Sequence, residues 1–396
     1  MELRKSALEA LVSTTIRARP WAFGTQAQAV ARGIPPGRQA SLRKDKTMNL
    51  DFYRGKRVLL TGHTGFKGSW MSVMLVNAGA SVAGFSTCSK KETRLFDLCG
   101  VRDQITHIRG DVRDLAALEA VFRDFEPEIV IHMAAQPLVR ESYADPVTTY
   151  ATNVMGTVNV LECVRKHPCV RSFLNVTTDK VYENREWVWG YRENEPLDGY
   201  DPYSNSKSCS ELVTRTYQRS FFQGSETVIS TARAGNVIGG GDFAKDRIIP
   251  DCVRAALAGE EIIVRNAGST RPYQHVLEAV SAYLMIAAGQ AENPALAGSY
   301  NVGPEESDCL RTGELVDLFV RQWGDGLRWT DRSDGGPHEA SFLRLDCSLL
   351  KSTFGWHPRW NLEQAVAAVI EWTRCHASGG DVRACMDAQI RRYLAD

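Results

Sequence analysis

A tyrosine and a lysine four residues apart, Tyr203 and Lys207, form the pair in this sequence best suited to acid–base chemistry. They follow Asp201 in a segment that predicts the start of a helix. One helical turn places such a pair on the same face, with the lysine ammonium beside the tyrosine ring. A phenol ionises at about pH 10, and a neighbouring cation favours its charged form. Next to a bound cofactor, Tyr203 is therefore a candidate general base. The same spacing also arises by chance, so the rest of the sequence decides.

A glycine-rich turn with the sequence GHTGFKG is the second chemical signal. Its glycines allow the backbone to approach a pyrophosphate closely, and the N-terminus of the following helix attracts the negative charge. The spacing of the glycines is three and three, rather than the two and three of the commonest dinucleotide fingerprint. Taken alone, the turn is either a cofactor site or a structural turn. Its place after the first strand of a β-α-β run favours the cofactor site. The predicted cofactor-binding residues are Gly62, Thr64, Gly65, Phe66, Lys67 and Gly68.

The second predicted strand ends in Ser86 and Thr87, without the acidic residue that usually binds the adenosine ribose. The strand therefore leaves the choice between NAD and NADP open. Further cofactor contacts are predicted at the ends of the third and fourth strands. After the third strand, Asp111 and Val112 are candidates for adenine contacts. After the fourth strand, Ala134, Ala135 and Gln136 allow the backbone to come close to the cofactor.

Short apolar runs alternate with amphipathic stretches from Lys56 onward, which predicts a parallel sheet covered by helices on both faces. This is a doubly wound α/β fold of the Rossmann type, in which ligands bind at the carboxyl ends of the strands. The predicted strands are Arg57–Leu60, Ser81–Phe85, Ile105–Arg109, Ile129–His132, Ser172–Val176 and Val228–Thr231. The predicted helices are Phe66–Ala78, Leu115–Phe125, Pro146–Lys166 and Pro202–Phe222.

Three regions are expected along the chain. Residues 1–47 are basic and rich in Arg, Ser and Ala, and we expect a poorly ordered extension. This extension is a targeting segment, a tail, or the product of a misassigned start, because Met48 leads directly into the first strand. Residues 48–232 form the dinucleotide-binding domain. Residues 233–396 form mainly a smaller mixed α/β substrate lobe, with some elements returning to the first domain. The helices predicted in this lobe are Ile248–Ala258, Val276–Ala288, Arg311–Trp323 and Leu362–His376.

Composition narrows the functional class. The 396 residues carry 47 basic and 47 acidic side chains, so no nucleic-acid or membrane partner is indicated. No apolar run is long enough to cross a bilayer. The ten cysteines show neither a CxxC motif nor a zinc-finger spacing, so we predict no metal site and no disulfide framework. A cytoplasmic, reducing location fits these features best.

In their order along the chain, these motifs resemble the extended short-chain dehydrogenase/reductase family, from about Leu50 to the C-terminus. Within that family they are most similar to the nucleotide-sugar 4,6-dehydratases that act on CDP-glucose. The segments that carry the resemblance are GHTGFKGSW from Gly62, AAQPLVR from Ala134, NREWVWGYRE from Asn184 and RAGNVIGGGD from Arg233, together with Asn153, Gly156-Thr157 and Thr177-Thr178-Asp179.

The resemblance implies a redox cycle on the sugar of CDP-glucose with NAD as cofactor. Tyr203 takes the proton of the 4-hydroxyl while hydride leaves C4; water is then lost across C5 and C6, and the hydride returns to C6. It implies that Asp179 is the acid for the C6 hydroxyl and that Thr178 donates to the sugar 4-oxygen. Lys180 stands where the dTDP-glucose enzymes have a glutamate; it is either the C5 base or a cation that stabilises the enolate. Asn153, Thr177, Tyr203 and Lys207 are further implied cofactor contacts.

The matching motifs also imply substrate contacts in the second lobe. Asn236 and Arg271 are candidates for the diphosphate, since a guanidinium forks onto phosphate oxygens. Arg247 is either a further diphosphate contact or a surface ion pair. His275 and His338 are each either substrate contacts or structural histidines.

Trp187 and Trp189 either line the sugar pocket or pack in the lobe, and packing is favoured.

A sugar-nucleotide 4-epimerase or decarboxylase of the same family is the alternative enzyme. Asp179 argues against an epimerase, which has no hydroxyl to expel. A non-catalytic NAD-sensing protein is the alternative from another class. The two long helices Pro146–Lys166 and Pro202–Phe222 usually pair across a two-fold axis in this family, which implies a homodimer or homotetramer.

Overall fold

A computed structural model describes Met48 and residues 50–88, 94–332 and 340–396 of the chain. The expectations for residues 1–47 and for His338 lie outside the described residues. No helix in the described ranges is long and apolar enough to span a membrane.

A seven-stranded sheet with the order β10-β6-β5-β4-β1-β2-β3 forms the centre of the fold. All of its strand pairs are parallel. Its strands are β1 (Arg57–Thr61), β2 (Ser81–Ser86), β3 (Thr106–Arg109), β4 (Ile129–His132), β5 (Ser172–Thr178), β6 (Val228–Ala234) and β10 (Ser299–Val302). The strand order reverses direction between β1 and β4, so a crevice opens at their carboxyl ends.

Helices cover both faces of this sheet. The helices of the described residues are α1 (Phe66–Asn77), α2 (Arg94–Leu98), α3 (Leu115–Phe125), α4 (Val139–Ala144), α5 (Pro146–Tyr150), α6 (Gly156–Lys166), α7 (Pro202–Phe221), α8 (Ile248–Ala258), α9 (Val276–Glu292), α10 (Thr312–Trp323), α11 (Ser348–Phe354), α12 (Leu362–Ala377) and α13 (Val382–Ala395). Alternate residues of β1 divide between two cores: Val58 and Leu60 pack with α1 and α9, whereas Leu59 packs with α3 and α6. This explains why Val58–Leu60 of β1 is an uninterrupted apolar run rather than an alternating one.

Two small sheets complete the fold. One has the order β11-β9-β7, formed by β11 (Cys309–Arg311), β9 (Thr270–His275) and β7 (Asn236–Ile238). The other pairs β12 (Trp329–Asp331) with β8 (Ile262–Val264). A third hydrophobic core joins both small sheets to α8, α10 and α12. In the same part of the chain, β10 pairs with β6 of the central sheet, and α9 packs on β5 and β6. The domain boundary at residue 232 stays a prediction.

The structure confirms the predicted doubly wound α/β fold, and two differences matter for the site. The predicted helix Pro146–Lys166 contains a π-helical turn, Ala151–Met155, between α5 and α6. Such turns within helices are frequent at functional sites. The strand β10 was not predicted, because four residues flanked by turns carry little periodic signal.

Candidate active site

The glycine turn connects β1 to α1 in a conformation that only small residues allow. Gly62 has φ +76°, and a Cβ there would lie 2.8 Å from the backbone nitrogen of Ala134. A Cβ on Gly68 would lie 2.3 Å from the carbonyl oxygen of Gly62. Real Cβ atoms do not approach backbone atoms this closely, so both glycines are required by local packing. The turn, the end of β4 and the start of α1 therefore enclose a tight backbone cradle.

The first turn of α1 is open to an anion. Its N-cap is Gly65, which supplies no capping side chain to the free backbone N–H groups. These groups and the helix dipole fit the pyrophosphate of a dinucleotide. The Lys67 side chain of the same turn lies with its Nζ 5.9 Å from the centre of the Tyr283 ring. Burial lowers the pKa of Lys67 to about 8, and Arg247 acts in the same direction.

The end of β2 offers hydroxyl groups where a carboxylate is usual. The Thr64 and Ser86 hydroxyls lie 2.8 Å apart. After β3, Asp111 forms an ion pair with Arg113 at 2.6 Å, and the resulting hydrogen bonds lower the pKa of the Asp111 carboxyl. Val112 is buried beneath Gly156, where a Cβ would approach it to 2.7 Å. The predicted adenine side of the site is thus built from a fixed ion pair and a close backbone contact.

The π-helical turn ties the end of β4 to the helix that carries the tyrosine. Asn153 in this turn accepts a hydrogen bond from the Gln136 backbone nitrogen at 2.9 Å and donates to the Gln136 carbonyl at 3.1 Å. Its amide also donates to the Ser206 hydroxyl at 2.9 Å. The extra residue of the π turn lets one buried amide join three separate segments. Asn153 thereby holds Ala135 and Gln136 beside α7.

Tyr203 lies in the first turn of α7, which is fixed at both sides. The Asp201 side chain caps the helix by accepting from the Ser204 nitrogen at 3.0 Å, and the Tyr203 nitrogen donates to the Ser142 hydroxyl at 3.1 Å. Burial raises the pKa of the Tyr203 phenol to about 12; a hydrogen bond with Thr178 and the charge of Arg247 act in the opposite direction. The protein groups alone therefore keep this phenol protonated at neutral pH.

Lys207 follows one turn later on α7 and is buried. Its ammonium donates to the carbonyl of Val176 in β5 at 3.1 Å. Burial lowers the pKa of Lys207 to about 8, and the Glu211 carboxylate opposes this shift. The predicted pair is thus carried by one helix, with the lysine anchored to the central sheet.

The segment Thr178-Asp179-Lys180 turns sharply at the end of β5, where Asp179–Val181 forms a 3₁₀ turn. Asp179 is only 2% exposed. The Thr178 hydroxyl donates to its Oδ1 at 2.9 Å, whereas its buried Oδ2 has no hydrogen-bond partner. Burial raises the pKa of the Asp179 carboxyl, and the cations of Lys180, Arg271 and Lys67 oppose this shift. The site therefore contains a buried carboxyl whose pKa is raised, close to the Tyr203 phenol.

The predicted diphosphate contacts occupy two elements of the second half. Asn236 begins β7 and is half-buried. Arg271 lies on β9, is buried, and donates to the carbonyls of Thr270 and Ala340. Arg247 precedes α8 and forms an ion pair with Asp242 at 3.0 Å.

Arg247 and Arg271 both act on the residues of the first half. The charge of Arg247 affects the Tyr203 phenol, and the charge of Arg271 affects the Asp179 carboxyl. The structure therefore brings both arginines near the catalytic candidates, although each already has a protein partner.

His275 is placed differently from the prediction of a substrate contact. It is fully buried and caps α9, accepting from the Leu277 nitrogen at 3.3 Å. Its ring packs between Trp70 and Trp360, with centroid distances of 5.9 and 4.9 Å. These contacts favour the structural alternative for His275, and its role as a substrate contact stays a prediction.

The tryptophans divide between packing and exposure. Trp187 stacks on Tyr191 at 5.4 Å, and Tyr191 stacks in turn on Tyr182 at 5.1 Å. Trp189 is 68% exposed and meets Trp187 edge-on at 5.8 Å. Packing thus accounts for Trp187, as expected, while Trp189 lies at the surface.

A buried network behind the site was not predicted. Glu211 lies on α7 one turn beyond Lys207 and forms an ion pair with Arg233 of β6 at 2.9 Å. The Thr177 hydroxyl, predicted to contact the cofactor, donates to Glu211 at 2.5 Å. The i to i+4 spacing of Lys207 and Glu211 was the available signal, since it predicts a shared helix face.

A parallel sheet with a glycine cradle at its crevice, and a tyrosine and a lysine one turn apart beside it, define a dinucleotide-binding enzyme of the extended short-chain dehydrogenase/reductase class. Comparison with known families refines this class. The chain belongs to the GDP-mannose 4,6 dehydratase family, whose model matches residues 59–369.

Individual relatives are similar over most of the chain. A CDP-glucose 4,6-dehydratase of Salmonella typhimurium is 45% identical over 351 residues, which cover 87% of this chain and 98% of that protein. A dTDP-glucose 4,6-dehydratase of Xanthomonas campestris is 27% identical over 79% of this chain and 92% of its own. Among solved structures, the Thermus thermophilus UDP-glucose 4-epimerase in complex with NAD is 25% identical, with a TM-score of 0.70 over 80% of this chain and 99% of that chain.

Proposed function

We propose that this protein is a CDP-glucose 4,6-dehydratase, an NAD-dependent hydro-lyase that converts CDP-D-glucose to CDP-4-keto-6-deoxy-D-glucose and water. The observation that carries this proposal is the buried Asp179 carboxyl, which lies close to the Tyr203 and Thr178 hydroxyls. Its Oδ2 has no hydrogen-bond partner in the protein. A simple epimerase has no leaving hydroxyl to protonate. The likeness of 45% to the Salmonella enzyme supports the CDP-linked substrate.

The cradle of Gly62 and Gly68 and the free N–H groups at the start of α1 would hold the pyrophosphate of NAD, and Asp111 and Val112 would contact its adenosine. When bound, NAD+ takes the hydride from C4 of the hexose and later returns it to C6, so the cofactor is regenerated in each turnover. The positive charge of a bound oxidised nicotinamide would favour the ionised form of the Tyr203 phenol.

The protein side chains move the protons of the reaction. Tyr203 accepts the proton of the sugar 4-hydroxyl, and the Thr178 hydroxyl donates to the sugar 4-oxygen. The resulting ketone acidifies C5–H, and loss of that proton expels the C6 hydroxyl. Asp179 protonates this hydroxyl so that it leaves as water, a task suited to a carboxyl whose pKa is raised by burial.

Lys180 follows Asp179 directly and assists the loss of the C5 proton in one of two ways. A neutral amine takes the C5 proton, whereas an ammonium stabilises the enolate. Lys180→Arg separates them, because arginine keeps the charge and does not deprotonate. Retained turnover in Lys180→Arg, with loss in Lys180→Met, assigns the electrostatic role; loss in both variants assigns the base.

The CDP diphosphate is proposed to bind at the second half of the chain. Arg271 and Asn236 supply its contacts, with Arg247 as a further cation. The ion pair of Arg247 with Asp242 holds that guanidinium within range of the Tyr203 phenol. Binding of the anion replaces these internal partners with phosphate oxygens, which suits the planar fork of arginine.

The direct test is to incubate the purified protein with NAD and CDP-glucose. We expect a 4-keto product, detected by its ultraviolet absorbance in base and by mass loss of one water. A 4-epimerase yields a product of unchanged mass, a decarboxylase consumes only a nucleotide-linked uronic acid, and an NAD sensor yields no product. Any of these three results overturns the dehydratase assignment.

We also propose a two-fold dimer, alone or as half of a tetramer, through α5, α6 and α7. The support is a set of exposed apolar side chains on α5, on α7 and on the π turn that adjoins α6, among them Val147 at 78%, Met155 at 53% and Leu212 at 47% exposure. Leu212→Glu is expected to yield monomers in light scattering. Leu257→Glu on α8, where the leucine is 51% exposed, is the matched control. An unchanged mass for Leu212→Glu contradicts this interface.

For location, we propose the cytoplasm. The ten cysteines of the sequence show no spacing typical of a disulfide framework, which suits a reducing compartment.

A further inference from the structure

The Glu211 carboxylate is the most completely bonded acidic group behind the site. It is 1% exposed and lies on α7 one helical turn beyond Lys207. Its Oε1 accepts from the Thr177 hydroxyl at 2.5 Å, and its Oε2 accepts from the Thr231 hydroxyl at 2.8 Å and from Arg233 at 2.9 Å. Donors from β5 and β6 thus fix the position of this carboxylate against the sheet.

Arg233 is fixed just as firmly. It has no exposed surface, and it donates to the Tyr182 hydroxyl at 2.8 Å and to the Glu193 carbonyl at 3.0 Å. The Tyr182 hydroxyl donates in turn to Asn301 of β10 at 2.6 Å. The guanidinium is protonated at any physiological pH, so it is a permanent positive charge in the same interior as Lys207.

We propose that Glu211 is a positioning residue that keeps Lys207 protonated and in place beside Tyr203. This inference rests on the proposed function, in which the Lys207 ammonium supports the Tyr203 phenolate. Without the carboxylate, two cations remain buried in the same interior. Arginine does not release its proton, so Lys207 is the group that becomes neutral.

The other groups that face Lys207 do not replace the carboxylate. His132 at the end of β4 is buried, and burial with the Lys207 charge lowers its pKa to about 3, so it is neutral. Lys67 on α1 is a second cation and acts against protonation. Tyr203 is on α7 itself, and burial raises the pKa of its phenol to about 12, so without the cofactor it supplies no negative charge at neutral pH. Glu211 is the group that raises the pKa of Lys207 against burial.

The test is the pH profile of kcat for Glu211→Gln, which keeps the size of the side chain and removes the charge. If turnover requires the Lys207 ammonium, kcat falls at alkaline pH, where the amine loses its proton. We expect this limb to move about one pH unit or more toward acid, so that kcat on the alkaline side of the wild-type profile falls about tenfold, while kcat at the wild-type optimum falls less. The KM for CDP-glucose and the affinity for NAD are expected to change little. A limb at the wild-type position overturns the proposal.

Two further variants keep the result interpretable. Glu211→Gln combined with Arg233→Met removes both buried charges, and its limb is expected between those of the wild type and the single variant. If the single variant does not fold, a wild-type limb in the double variant overturns the proposal. Glu278→Gln alters another fully buried glutamate, on α9, and is expected to keep the wild-type limb; an equal shift there also overturns it.

The failure of the proposed function is recognised separately. If the wild-type protein forms no 4-keto product from CDP-glucose, the dehydratase assignment fails before any variant is compared. If the wild type turns over and only the Glu211 result differs from expectation, the positioning role alone fails.

Discussion

At the scale of single residues, the Tyr203 hydroxyl is the group on which the proposed first step depends. Tyr203→Phe removes the base and leaves the backbone of α7, with its contact to Ser142, in place. We expect turnover to fall by about 10²- to 10⁴-fold, the usual contribution of a general base. NAD affinity, measured by calorimetry, is expected to stay near the wild-type value.

A matched control for this variant is Tyr300→Phe. The Tyr300 hydroxyl donates to the Leu296 carbonyl at 2.5 Å, and its removal is expected to leave turnover intact. Full activity in Tyr203→Phe, or an equal loss in both variants, contradicts the assignment of the base.

Asp179→Asn tests the second proton transfer. The amide preserves the shape and the contact with Thr178, but it does not protonate the leaving hydroxyl. Oxidation at C4 is expected to proceed and elimination to stall, so that reduced cofactor accumulates during a single turnover. Its near-ultraviolet absorbance measures this accumulation. Product formation at the wild-type rate places the acid on another residue.

Residue types and spacing were sufficient to predict that Tyr203 and Lys207 share one helix, because the pair is four residues apart after a helix-capping Asp201. The role of Asp179 was implied by the family resemblance and stays a prediction. The burial of His275 could not be predicted, for a physical reason. Its burial depends on Trp70 and Trp360, which come from distant parts of the chain, and no local pattern shows which side of a strand end faces them.

At the scale of elements, the turn between β1 and α1 determines whether the cofactor binds. In Gly68→Ala the added Cβ meets the Gly62 carbonyl and the His63 backbone within 3 Å, so the turn must open. We expect the affinity for NAD to fall at least tenfold, and stability to fall by about 1 to 3 kcal/mol from overpacking. Calorimetric titration with NAD and urea denaturation measure the two effects.

Gly268→Ala is the control for this element. No heavy atom lies within 4 Å of a Cβ at Gly268, so NAD affinity and stability are expected to stay unchanged. Wild-type NAD affinity in Gly68→Ala would falsify the assignment of the turn as the pyrophosphate site.

The strands β1 to β6 and the longer helices were predictable to within a few residues, since apolar runs and caps are local signals. The short strands β7 to β12 were not predicted. The π turn in the predicted helix Pro146–Lys166 was not. It depends on the bonds of Asn153 to Gln136 and Ser206, and these partners become neighbours only when β4 and α7 have packed together. Tertiary contacts, rather than helix propensity, therefore determine the conformation of the π turn that positions Gln136 beside α7.

At the scale of the whole molecule, one buried carboxylate joins the centre of the fold to its C-terminal end. Glu278 of α9 accepts from the backbone nitrogens of Arg359 and Trp360 at 3.0 and 2.8 Å, and from the Tyr393 hydroxyl of α13 at 2.8 Å. Burial raises the pKa of Glu278 from 4.5 to about 7, although these hydrogen bonds oppose the shift. The connection between α9 and the C-terminal helices is thus sensitive to pH.

The sign of this sensitivity follows from proton binding. Between the ordinary pKa of 4.5 and the raised pKa of about 7, folded Glu278 holds a proton that the unfolded chain has released. Its contribution to stability is therefore complete below the lower value and is lost as the pH rises through the upper one. Glu278→Gln removes this titration while it keeps an oxygen for the two backbone donors. We expect the free energy of unfolding of the wild type, relative to this variant, to fall by about 2 to 3 kcal/mol between about pH 5 and about pH 8. Urea denaturation of both proteins across this range measures the difference, and parallel pH dependence in the two proteins contradicts a protonated Glu278 in the folded state.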